Sequence, residues 1–472
     1  MNRARAIEDP LAPFEPSPTE PWDAARAAHL ARRAGFGTRP DEVRELVALG
    51  PRAAVDRLVD FADEDRELDA ELAAKGGSLA ELDNQNRIGE RLGENTRAWW
   101  LYRMVRGRAP LQEKLCLFWH AHFACRESEL LPPPLLLAQN RTFRRLAAAR
   151  FGDVLAAVAR DPAMLVFLDN RSNEKTRPNE NWARELLELF TLGVGAYEQH
   201  DVVEVARVFT GWRLSPDGSA FAFAPEHHDD GDKRVLGERI AGRGGPEGER
   251  EGVELLARLA RDPRTAERLA GKLARWFLAD EPEPACVAAL ATELVARDFS
   301  VRETLRTLLC SRAFHAPDSR FALARTPVDL VVAAARTLEV QNAHLLGLER
   351  TTARMGMQLL RPPNVAGWKL GKHWIHPSAA AHRASFAREL AALPHTTRSV
   401  DGRAALDLER LAAGLTEPRA LARSLGERLF GVEPATDALD DFVSTLAPGA
   451  SPHDVVRAAL ERWVGAADFA LA

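Results

Sequence analysis

The chain has 472 residues, 46% hydrophobic and 28% charged, with a formal net charge of -5. That length holds a sizeable core, and the mixed, slightly acidic charge argues against a nucleic-acid partner. No apolar run reaches the roughly 18 residues of a membrane helix, and Cys116, Cys125, Cys286 and Cys310 form no C-x-x-C pair, so neither a membrane span, a disulfide scaffold nor a thiolate zinc site is expected.

Residues 1–21 carry Pro10, Pro13, Pro16 and Pro18 and no apolar segment, which reads as a flexible arm rather than a secretory leader. The location expected is therefore cytoplasmic, with the periplasm open if a leader has been removed. Helical periodicity starts at Trp22 and governs residues 22–393, the main helical domain. His29, Leu30 and Ala34 sit at helical spacing, Gly35 and Gly37 break the helix, and Pro40 opens the next. Residues 68–95 read as a charged helix and loop. Pro110 starts a helix that is apolar on every face, as a buried helix is. Asn179 caps a helix over 180–192 that Gly193 stops. A further helix from Asp201 ends at Gly211. Pro216-Asp217-Gly218 followed by alternating Phe221 and Phe223 predicts a small β-hairpin insertion near 213–236. Residues 242–252 read as a flexible charged loop. Polar residues 394–403 suggest a linker to a C-terminal helical segment, 394–472, packed on or beside the main domain. The fold class expected is mainly α, a large multi-helix protein with a single core.

Four polar segments stand out; the fourth, Thr210-Gly211-Trp212, ends a helix just before the hairpin, with Trp212 read as packing, and the other three carry candidate chemistry. The first holds His120 and His122 between Phe118, Trp119 and Phe123. Two residues apart on a helix, the imidazoles point about 200° apart, so they serve one site only if the helix ends there. The second places Asn181, Glu185 and Glu188 on one helix face, with Glu180 and Arg184 as an i, i+4 pair. The third, Glu226 to Lys233, offers His228 and Asp229 in a glycine-containing loop. The reading that follows is a metal-dependent hydrolase. One or two of His120, His122 and His228 hold a divalent ion with Glu185, Glu188 or Asp229, a free carboxylate such as Glu180 acts as base, and Arg184 or Lys233 stabilises negative charge. The substrate is a small molecule or a polymer. The same ligands around a redox metal give an oxidase or oxygenase. The alternative is a non-catalytic scaffold or binding protein, its polar residues a buried network holding helices in register.

Residues 30–37, 118–123, 179–181, 183–186, 188–193, 210–212 and 228–233 carry a resemblance. With Met355-Gly356 and Pro362 to Trp368, they resemble the bacterial family catalogued as domain of unknown function number 1800. The resemblance implies no activity. It implies a possible protein partner from a neighbouring gene and often an exported protein, from which this chain departs in showing no leader. Phe190 also stands where many relatives carry a His.

Overall fold

Proline opens many of the helices, because its missing N–H is not needed in a first turn and its ring presets φ. The computed structural model describes residues 9–62, 68, 70, 90–340, 345–393 and 406–472. The helix and loop expected at 68–95 fall largely outside these residues, and the linker at 394–403 wholly so. Helices α1 (Ala24–Ala34), α2 (Pro40–Leu49) and α3 (Pro51–Val59) come first. They are followed by α4 (Glu90–Arg106), α5 (Pro110–His122), α6 (Pro133–Arg145), α7 (Phe151–Ala159) and α8 (Pro162–Phe167). Next are α9 (Glu180–Glu185), α10 (Gln199–Val208), α11 (Glu249–Ala260), α12 (Pro263–Phe277), α13 (Pro284–Ala296), α14 (Val301–Leu309) and α15 (Arg312–His315). The chain continues through α16 (Pro327–Thr337), α17 (Leu345–Arg354) and α18 (Pro377–Ala391). It closes with α19 (Leu408–Ala412), α20 (Pro418–Phe430), α21 (Thr436–Ser444) and α22 (Pro452–Val464). No helix among the described residues is long and apolar enough to cross a membrane.

One contiguous hydrophobic cluster runs from Ala27 in α1 through α5 and α12 to Leu460 in α22. Its centre is α5, where Leu111, Leu115, Cys116, Leu117, Phe118 and Trp119 are all buried, as its all-round apolar pattern requires. The buried carboxylate of Glu113 on this helix accepts from Arg144 Nε (2.7 Å), Arg103 Nε (3.2 Å) and Trp100 Nε1 (3.0 Å). Burial pushes Glu113 up, but Arg144 and then Arg103 outweigh it and hold the carboxyl below its ordinary range. Within the segment read as an arm, residues 10–14 lie against the end of α14 and the start of α15. Phe14 N donates to Cys310 O (2.8 Å), and Arg312 N to Ala12 O (2.8 Å).

The sheet content is two separate antiparallel hairpins. β1 (Trp212–Leu214) pairs with β2 (Phe221–Phe223), as the turn residues and alternation predict. A second hairpin joins β3 (Lys233–Val235) to β4 (Glu238–Ile240). The segment expected as a loop to residue 252 is already helical from Glu249. Gly252 lies on α11 because Trp212 packs there: a Cβ at that position would come within 2.5 Å of the indole.

Candidate active site

The helix that starts at the Asn179 cap does not continue as α. After Glu185 it widens into a π-helical turn over Leu186–Phe190. Thr191 Oγ1 donates to Leu186 O (2.5 Å) and Gly193 N to Leu187 O (3.0 Å), closing the turn. Gly193 does so at φ +100°, a conformation that favours glycine. The consequence is that the carbonyls of Leu189 and Phe190 are free to serve side chains from elsewhere. π-turns of this kind occur frequently at functional sites.

Those carbonyls receive His122 and Lys272. His122, the last residue of α5, has its Nε2 3.2 Å from Phe190 O and its Nδ1 2.6 Å from Lys272 Nζ. A carbonyl can only accept, so Nε2 carries the hydrogen and Nδ1 accepts from the lysine. Burial, then Lys272 and Arg268, hold His122 well below the usual histidine range, so the ring is neutral. Lys272 Nζ also donates to Leu189 O (3.2 Å), and Arg268 Nε reaches the same oxygen (3.1 Å). Burial, then Arg268 and Arg275, pull Lys272 down to about 7. Two of the three positions on Nζ beyond its own carbon are committed to His122 and Leu189. The third is a hydrogen when the amine is charged and a lone pair when it is neutral.

Lys272 lines a groove of about 1070 Å³ between α12 and α13. Arg264, Arg268, Lys272 and Arg275 recur along α12 at helical spacing and face this groove, with Pro284 and Val287 opposite. The groove is at the large end of ligand sites, and its α12 wall, which also carries Glu267, has an excess of basic residues.

The carboxylates of the second motif lie at the π-turn itself, Glu185 just before it and Glu188 within it. Glu188 accepts from Tyr197 Oη (2.6 Å), and burial with Glu188 pushes that phenol up to about 12. Glu185 is half-buried, and burial followed by the charge of Glu188 raises its pKa. Glu180 and Arg184 form the expected i, i+4 pair (3.0 Å), and Gln199 donates to Glu180 (2.9 Å). That pair lies on the partly exposed side of the helix.

The third motif is placed elsewhere, in a sealed network. Lys233 Nζ donates to Glu251 Oε2 (2.5 Å), and His228 Nε2 lies 3.3 Å from Glu251 Oε1. Arg243 N also donates to Glu251 (2.6 Å). His228 Nδ1 lies 2.9 Å from Thr210 O, so both ring nitrogens face oxygens of the protein. Asp229 is held by Arg207 (2.8 and 3.2 Å) and by Gly231 N. Despite partial burial, Arg207 and that amide lower its pKa. The side chains of His228, Lys233 and Glu251 are all at most 1% exposed. Thr210 of the Thr210-Gly211-Trp212 segment joins this network: its Oγ1 accepts from Asp229 N (2.9 Å).

His120 turns away from His122, as the helical angle requires. Its Nε2 accepts from Leu360 N (3.2 Å), and its ring packs against Trp100 and Trp368, each at 5.3 Å. Burial drops it to about 3. The expected ligands are thus spread over three neighbourhoods. Among the described residues no three His, Cys, Asp or Glu side chains are grouped closely enough to hold a metal ion. The donors do not converge on the divalent ion that the sequence pattern suggests.

The geometry defines a helical protein with a buried amine–imidazole pair at the edge of a cationic groove. The family model "Protein of unknown function (DUF1800)" matches residues 29–471, and the chain belongs to that family. No curated protein and no solved structure matches the chain. Sequence reasoning missed Lys272, Arg268 and Glu251. For Lys272 the only signal was a small residue, Gly271, beside a lysine in an otherwise arginine-rich stripe.

Proposed function

We propose that this protein is a hydrolase acting on an anionic substrate laid in the α12–α13 groove, with Lys272 as the proton acceptor. The observation that carries this reading is a lysine amine pulled to about 7 and hydrogen-bonded to a neutral imidazole at 2.6 Å. A base with that pKa is half neutral at physiological pH, where general-base catalysis is most efficient. The neutral amine takes a proton from a water at the groove wall, and the water oxygen attacks the substrate. His122, fixed by Phe190 O, orients the amine. Arg268 and Arg275 offset the negative charge that develops. The protonated amine then returns its proton to the leaving group.

The sequence-level reading of a metal-dependent hydrolase, or of an oxidase, needs ligands that the described residues do not bring together. One observation favours the scaffold reading for part of the chain: the His228–Glu251–Lys233 network is satisfied internally and sealed from solvent.

The test is a panel of chromogenic carboxylate and phosphate esters, read as kcat/KM against pH. The rate should rise with pH through about 7, as Lys272 loses its proton. Lys272→Met should lower kcat/KM at least ~100-fold, the usual size of a general-base contribution. Turnover that is unchanged in a folded Lys272→Met variant would contradict the proposal.

A further inference from the structure

The motif Leu30 to Gly37 is not used by the site above, yet it carries two of the most deeply buried charges in the molecule. Arg32 and Arg33 on α1 are 3% and 1% exposed, and Arg325, just before α16, is 3% exposed. The three guanidinium groups line one cavity of about 30 Å³, together with Lys114 and Arg275. Its wall also carries the side-chain carboxylates of Asp280 and Asp329 and the last residue, Ala472, with its terminal carboxylate. Asp329 is already used: it accepts from Lys114 Nζ (2.5 Å) and from Thr326 Oγ1 (2.8 Å).

The arginines are held by backbone oxygens. Arg32 Nη1 donates to Phe430 O (2.6 Å), Arg33 Nη1 to Leu278 O (2.7 Å) and Arg325 Nη1 to Phe469 O (2.8 Å). Among the described residues no carboxylate comes within 4.0 Å of any of the three. The Nε of Arg32, the Nε of Arg33 and Oδ1 of Asp280 are buried without a partner. Burial, then Arg325 and Arg33, pull Arg32 down to about 9; burial brings Arg33 to about 9 in spite of Asp280. Buried cations of one sign, with donors left over, are costly unless an anion compensates them.

We infer that the cavity ringed by Arg32, Arg33 and Arg325 is a binding site for a small oxyanion, a carboxylate or phosphate group. Planar guanidinium groups present paired donors that match such oxygens. The cavity is about twice the size that one water needs, so it admits a head group and little more. Arg275 and Asp280 line both this cavity and the groove beside Lys272. The inference concerns binding alone and does not rest on the proposed hydrolysis.

The experiment is titration of the full chain with inorganic phosphate and with acetate, against sodium chloride at matched ionic strength. Heat of binding and the thermal midpoint are the two readouts. Phosphate or acetate should bind at one site and raise the midpoint with concentration, as a ligand of the folded state does; the stronger of the two identifies the class. Arg33→Met should weaken binding at least about tenfold, the loss of one charged hydrogen bond. Asp280→Asn, which removes a competing carboxylate, should tighten it. Chloride equal to both oxyanions, binding that persists in Arg33→Met, or no saturable binding with water alone in the cavity would each overturn the inference.

Discussion

Between pH 7.5 and pH 5 the protein is expected to lose a large part of its stability. Of the five histidines buried among the described residues, four, His29, His120, His122 and His315, carry the effect. Burial lowers all four: His120 to about 3, His315 to about 4, and His29 and His122 well below the ordinary value of 6.5. Each stays neutral in the folded chain and takes up a proton in the unfolded chain below pH 6.5. The unfolded state then binds more protons, so stability falls as pH falls from 6.5 towards 4. Each group contributes about 1.4 kcal/mol per pH unit in that window, so four over 1.5 units set an upper bound of roughly 8 kcal/mol. Asp161 works in the opposite direction. Burial raises it to about 6, so the folded state gains a proton, and stability, between pH 6 and 3.8. One such group offsets only part of the loss. Urea denaturation at pH 7.5, 6.5, 5.5 and 5.0 measures this. A midpoint that holds constant across the series would show that these rings protonate in place.

Glu251→Ala should cost ~3–5 kcal/mol, the penalty for removing one partner of a buried ion pair. Glu251 accepts from Lys233 Nζ, His228 Nε2 and Arg243 N, and its side chain is fully enclosed. Without it, an ammonium group with 0% exposure keeps only the carbonyl of Asp229. Combining Glu251→Met with Lys233→Met removes both charges and should lose clearly less than the two single variants together. This cycle separates a structural network from a working site. If Glu251→Ala unfolds within about 1 kcal/mol of the parent, the network does not hold this region together.

The helical framework was legible because its signals are local. Prolines at first turns, the Asn179 cap and the all-apolar α5 depend on residues a few positions apart. The first hairpin was legible from Pro216-Asp217-Gly218 and the alternating phenylalanines. The second was not, because its turn uses Leu236 at φ +54° beside Gly237 at φ +81°. Leucine is not a turn residue, and each strand is three residues long. The π-turn is invisible in Leu186 to Phe190, which read as ordinary α-helix; only its closure by Thr191 and Gly193 distinguishes it. His122 stands out in the sequence because aromatic residues flank it. Its hydrogen-bond partner Lys272 does not, since it stands among Arg264, Arg268 and Arg275, which read as a solvated stripe. What makes it unusual is His122, 150 positions away in the chain. Glu251 was hidden in glycine-rich sequence expected to be a loop.

Catalysis by Lys272 as the base depends on the protonation of one amine. Chains labelled with 13C-lysine give a Cε resonance for each lysine, and Lys272→Met assigns the one that matters. The Lys272 Cε resonance should titrate with a midpoint near 7, against the ordinary value of 10.5. A midpoint above about 9.5 would leave Lys272 charged throughout the physiological range and would contradict its role as the base.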